Sequence, residues 1–217
     1  FCNTKAFRII THRSVFLKAV LETASLMIKS GITNQYSTHH MENSFGKNII
    51  PYNEKGRLAA LHRYQILKDL PQGYFSNLAQ IVARTFATPI ALVSLVDEKR
   101  VLFPGNVGME GTTEAPRGIS LCSLAVLDDN PTVFENALEE PCLLTNPLVT
   151  GSFGLRFYAG APITTADGYA IGTVCVVDKE PRAFTEKDRE LLQYFATVAM
   201  QDIEHRMQTL HVKVTAG

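Results

Sequence analysis

Apolar residues recur at three- and four-residue spacing in two early stretches. Leu58, Leu61, Ile66 and Leu67 follow Asn53, which can cap a helix, and this run stops near Asp69 and Pro71. Phe75, Leu78, Ile81, Val82, Thr85 and Phe86 keep the same spacing until Pro89 closes them. Two helices are expected here. The pattern then changes. Ile90–Val96 (IALVSLV) is a short unbroken apolar run, as in a strand covered on both faces. The polar residues 97–100 lead into a second strand over 101–107, so the pair reads as a hairpin. A second hairpin is expected from Phe157–Thr164 and 169–178, where Asp167-Gly168 supplies the positive φ of a tight turn. Pro181 ends the strands, and Thr185 with Asp188 forms a capping-box variant opening a long helix. The order predicts an α+β fold: an antiparallel sheet with the terminal helices on one face.

That arrangement leaves the other face of the sheet to the segment 104–156. This stretch is rich in Gly, Pro, Asn and Thr, with one short helix expected over 119–127 and one strand over 132–135. Loops laid on a rigid sheet are where ligand groups usually sit. Arg117 and Arg156 are placed to converge on an anionic or carbonyl group. The competing reading pairs each with a carboxylate of the domain, such as Glu114 or Glu135. Phe103 and Tyr158 are candidate pocket walls, and equally candidate core residues; Ser120 is either a ligand contact or a cap of the short helix.

Composition changes this picture little. The chain has 217 residues, 46% of them hydrophobic, with Lys+Arg 21 against Asp+Glu 21. A neutral balance gives no pull towards nucleic acid or an anionic membrane. Four cysteines without a Cys-x-x-Cys pair point away from a zinc module or a disulfide framework, and a reducing, cytoplasmic compartment fits. No metal site is expected; His39-His40 lacks further ligands. Residues 1–40 carry five cations (Lys5, Arg8, Arg13, Lys18, Lys29) and one anion, Glu22. Residues 1–50 are read as an N-terminal extension outside the folded domain, 51–211 as the domain with its C-terminal helix, and 212–217 as a tail. A basic targeting helix around 15–28 is the competing reading of the extension. Lys18, Glu22 and Lys29 interrupt its apolar run, so no membrane span is expected.

Several separated strings, in order, resemble one family: NEKGRLAALHRYQIL (53–67), PIALVSLVDE (89–98), GISLCSLAV (118–126), NPLV (146–149), RFYAGAP (156–162) and GTVCVVDKEPR (172–182). They are similar to the bacterial GAF sensor domains, in the branch found alone or ahead of histidine kinases and diguanylate cyclases. The resemblance covers 51–201. It implies a PAS-like antiparallel sheet of five or six strands, a small-molecule or redox-sensing pocket formed by the middle segment, and signalling through the terminal helices. The candidate ligand-binding residues are Phe103, Arg117, Ser120, Cys122, Arg156 and Tyr158. The sequence also departs from the family. Many relatives carry Cys-x-His near the short helix, whereas Cys122 is followed by Ser123 and Leu124. Bilin-binding members carry Cys-His, and no cysteine here precedes a histidine, so no covalent bilin is expected. Asn146-Pro147-Leu148 departs from the pattern of cyclic-nucleotide-binding members. The effector and any cofactor stay unknown.

In the last helix Leu192, Phe195, Ala196, Ala199, Ile203, Met207 and Leu210 form a stripe. Such a stripe packs either into the domain's own core or, with the Leu58/Leu61 helix, against a second copy in a homodimer. His205 lacks a phospho-acceptor context, so signalling would pass through a partner such as a histidine kinase or diguanylate cyclase. The leading expectation is a non-catalytic sensory or regulatory domain. The alternative is a thiol-dependent reductase resembling the free-methionine sulfoxide reductases, with Cys122 and Cys142 as its cysteines. Cys175, inside VCVVD, reads as a buried strand residue.

Overall fold

A computed structural model describes residues 42–64 and 73–215, with side chains through 208. The residues 1–40, 65–72 and Leu210, on which parts of the sequence reading fall, lie outside this description. Helix α1 (Glu54–Arg63) and helix α2 (Ser76–Phe86) lead into β1 (Ile90–Val96), β2 (Arg100–Val107) and the short edge strand β3 (Glu114–Pro116). The middle segment holds α3 (Cys122–Ala125), β4 (Thr132–Phe134), two 3-10 turns (Ala137–Glu139 and Pro141–Leu143) and α4 (Pro147–Thr150). Strands β5 (Phe157–Thr164) and β6 (Ala170–Asp178) follow, then the long helix α5 (Glu186–Thr215).

The sheet has six strands in the order β3-β2-β1-β6-β5-β4, every neighbour antiparallel. The two hairpins therefore meet edge to edge at β1 and β6. These strands are buried along their whole length, because helices cover one face and the middle segment the other. Alternation sorts their residues. Ala91, Val93 and Leu95 join Val174 and Val176 on the helix side. Leu92 and Val96 join Cys175 and Val177 on the side of the middle segment. Ser94 lies opposite Thr173 on that second face.

On the helix side, Leu192, Ala196, Ala199 and Ile203 of α5 are buried in the domain's own core, with Phe195 and Met207 packed partly against it. Leu192, Ala196, Ala199 and Ile203 are thus committed within the domain, while Phe195 and Met207 keep part of their surface outside it. Among the described side chains of α5, the large apolar ones that are exposed are Leu191 and Tyr194. The Thr185/Asp188 box forms as expected: the Thr185 backbone N–H donates to Asp188 and the Asp188 N–H donates to Thr185 Oγ1.

Four readings need correction. Asn53 precedes α1 but its side chain makes no capping hydrogen bond. Ile81 and Thr85 of α2 face solvent, since Ala79, Val82 and Ala83 supply the buried face. The helix expected over 119–127 is only four residues long, with turns on either side. Last, the folded unit starts before residue 51. Phe45 and Ile49 are buried in the core beneath the middle segment, and the Ser44 N–H donates to the Gly118 carbonyl.

Candidate functional site

The middle segment is tied down from several directions. Arg117, wholly buried, follows β3 and sends Nη1 to Glu54 Oε1 at 2.5 Å and to the carbonyls of Asp97 and Glu98. Glu54 also receives Arg57 Nε on Oε2 at 2.7 Å, and Arg57 Nη1 donates to the Val96 carbonyl at 2.6 Å. Burial pushes the Glu54 carboxyl up, but hydrogen bonds from Arg57 and Arg117, with their charges, outweigh it and lower its pKa to about 2. The Ser123 hydroxyl donates to the Arg117 carbonyl at 2.7 Å, which fixes α3. Buried Asn146 caps α4 by accepting from the Leu148 N–H, and its amide donates to the Ile119 carbonyl and to Ser44 Oγ.

Between this segment and the sheet lies a cluster of polar side chains in an apolar setting. Ser94 and Thr173 face each other across β1 and β6, with hydroxyls 2.8 Å apart. Cys122 of α3 and Cys175 of β6 bring their sulfurs to 3.8 Å. Tyr158 of β5 is 2% exposed and stands beside Phe134, yet its hydroxyl has no hydrogen-bond partner. Burial, and the nearby thiols after it, push the Tyr158 hydroxyl well above its ordinary pKa, so it is a neutral donor. Gly160, two residues along the strand, leaves room for the ring: a Cβ there would collide with the Tyr158 hydroxyl. A buried donor without an acceptor costs about 1–3 kcal/mol, and such a group calls for a specific explanation.

The expected site residues separate into two sets. Tyr158, Cys122 and Phe103 belong to the same core beneath the middle segment, and Ser120 is buried two residues before Cys122. The arginines make their bonds elsewhere. Arg117 is engaged by Glu54, a third carboxylate besides the two considered from sequence. Arg156 Nη1 donates to the carbonyls of Val149, in α4, and Leu155, in the turn ahead of β5. Cys142 is partly buried in the second 3-10 turn, and the sulfur beside Cys122 is that of Cys175. Sequence reading passed over Ser94 and Thr173, and took Cys175 as a buried strand residue without placing it in the site. The polar Ser94 within IALVSLV was the one available signal, because a serine in a run buried on both faces needs a partner. Among the described residues no three His, Cys, Asp or Glu side chains are grouped to hold a metal, and no helix is long and apolar enough to cross a membrane.

Comparison with known proteins agrees with this architecture. The GAF domain family model matches residues 71–203, and the chain belongs to that family. A cyclic di-GMP phosphodiesterase of Pseudomonas aeruginosa is 33% identical over 168 residues, covering 77% of this chain and 28% of that protein. The chain thus spans little more than a quarter of that relative's length. Among solved structures, the free methionine-R-sulfoxide reductase of Neisseria meningitidis, in complex with its substrate, superposes with a TM-score of 0.53 at 18% identity, over 71% of this chain and 90% of that one. The GAF domain of an Acinetobacter phosphoenolpyruvate-protein phosphotransferase gives 0.51 at 18% identity, over 72% and 98%. At these identities the structural likeness is one of fold.

Proposed function

We propose that this GAF domain is a non-catalytic sensory module that binds a small molecule between the β1-β6-β5 face and the middle segment, and passes its state to a signalling partner through α1 and α5. The observation that carries this reading is the Tyr158 hydroxyl, buried without an acceptor beside the Ser94–Thr173 pair. A ligand carbonyl, carboxylate or ring nitrogen supplies the missing acceptor, and Phe103, Phe134 and Leu92, buried in the same core cluster as Tyr158, suit an uncharged body. Binding is felt at the ends because the covering segment is bonded to α1 through Arg117 and Glu54. A ligand shifts the helices only by preferring one arrangement of these contacts.

The similarity to a cyclic di-GMP phosphodiesterase supports an output in cyclic-dinucleotide turnover, with the effector setting the activity of an enzyme domain rather than being its substrate. The thiol-reductase alternative draws no support from a fold likeness at 18% identity. The test is a thermal-shift screen of a metabolite library against the natural chain and Tyr158→Phe. The reading expects compounds that raise the melting temperature of the natural chain and lose most of that effect in the variant. Compounds that stabilise both proteins equally contradict it.

A further inference from the structure

Two cysteines from distant parts of the chain end at one spot beneath the covering segment. Cys122 opens α3, Cys175 sits within β6, and their sulfurs are 3.8 Å apart. They are 3% and 0% exposed, and both are thiols. A disulfide brings sulfurs to about 2.0 Å, so the remaining gap is on the scale of a side-chain rotation.

Plain packing is the ordinary role of a buried cysteine. This pair differs in its surroundings, because the hydroxyl-bearing Ser94, Thr173 and Tyr158 stand around the sulfurs. The hydrogen bond from Cys175 lowers the Cys122 pKa against desolvation, and Ser94 and Thr173 add in the same direction. Cys175 is pushed up by that same hydrogen bond, by burial and by the neighbouring charge. Either sulfur can donate to the other across this contact, so a thiolate formed on one is hydrogen-bonded by the thiol of the other, as an attacking and a resolving thiol require.

We infer that Cys122 and Cys175 form an oxidation site, closed to a disulfide by a small neutral hydroperoxide, that staples the middle segment to the central sheet. The Cys122 thiolate attacks a peroxide oxygen and the O–O bond breaks. The departing hydroxide takes up a proton and leaves as water, and Cys122 becomes a sulfenic acid. Cys175 then gives up its proton and its sulfur attacks that of Cys122. The S–O bond breaks, the S–S bond forms, and the hydroxyl leaves with the proton as a second water. Two electrons pass from the two thiols to one peroxide. Burial selects the oxidant: hydrogen peroxide is small and uncharged, whereas glutathione disulfide is too large and too charged to reach either sulfur. This goes beyond the ligand reading and does not rest on it.

The test treats the full chain with hydrogen peroxide, alkylates it in denaturant and maps the digested peptides by mass spectrometry, beside Cys142→Ser and Cys175→Ser. The expected result is a loss of two hydrogens from the intact mass, reversed by reductant, and one bridged peptide joining Cys122 to Cys175. Cys142→Ser gives the same bridge; Cys175→Ser instead carries oxygen on Cys122; glutathione disulfide produces no bridge between the pair. Bridges to Cys2 or Cys142, or both thiols still open to alkylation after peroxide, overturn the inference. So does a bridge formed as readily by glutathione disulfide. If Cys175→Ser fails to fold, the natural chain and Cys142→Ser decide the question. The readout is a covalent bond, so its failure leaves the ligand reading standing, and the reverse holds too.

Discussion

Arg117 Nη1 lies 2.5 Å from Glu54 Oε1, although 63 residues separate the two in the chain. Arg57 holds the other carboxylate oxygen, so one acidic group serves two buried guanidinium groups. Further bonds from the two guanidinium groups reach the backbone carbonyls of Val96, Asp97, Glu98 and, at 3.5 Å, Ile49, while Arg117 Nε is buried without a partner. Removing the carboxylate charge strands both cations away from water. Glu54→Gln is expected to lower stability by about 3–5 kcal/mol. Urea unfolding followed by circular dichroism checks this, and a change under 1 kcal/mol would show that the pairs contribute little.

The same group sets an acid limit. Its folded pKa, about 2, lies below the ordinary 4.5, so ionised Glu54 favours the folded state. The contribution is present in full above the unfolded value and is lost as pH falls from about 4.5 through about 2. The loss over that window is on the order of 2 kcal/mol. Urea midpoints between neutral and acid pH should fall for the natural chain and stay flatter for Glu54→Gln. Parallel curves would assign the acid sensitivity to other carboxylates, such as Asp188, whose pKa the Thr185 hydrogen bonds lower.

Gly172 sits where the two hairpins join. A Cβ there would collide with the Ser94 carbonyl oxygen, which belongs to the neighbouring strand and has no torsion with which to move aside. Gly172→Ala is therefore expected to open the β1–β6 ladder and lower stability by at least about 3 kcal/mol. A thermal melt checks the size of the effect.

Ala87 ends α2 with φ at 48°, the left-handed conformation that a side chain disfavours. Its carbonyl accepts from Arg182 Nη2 at 2.8 Å, which helps hold the turn. Ala87→Gly should raise stability by about 1 kcal/mol, read as a higher urea midpoint with an unchanged slope.

Much of the fold was legible in local pattern. The run IALVSLV needed only apolar, β-branched residues between turn signals, β5 was placed by the Asp167-Gly168 turn that follows it, and the Thr185/Asp188 box sits where three-residue spacing places it. Elements without such a signal were missed or misjudged. β3 is Glu-Ala-Pro, three residues held by pairing with β2. The helix expected at α3 was too long because ISLCSLAVL, apolar but for Ser120 and Ser123, carries no period to mark its ends. The site was less legible than the fold. Arg117 found a carboxylate far along the chain, which spacing cannot reveal. Cys175 read only as a buried strand residue, because the neighbours on its face are known only once its register with β1 and β5 is known.

The central claim is that a small molecule completes the buried polar cluster at Tyr158. Native mass spectrometry of the chain purified without denaturant, set beside the denatured mass and beside Tyr158→Phe, tests it most directly. The account predicts a retained mass on the natural chain that disappears on denaturation and is largely lost from Tyr158→Phe, while the ligand-free variant is at least as stable as the natural chain because it buries no unpaired hydroxyl. Equal native and denatured masses, with Tyr158→Phe less stable than the ligand-free natural chain, would contradict it.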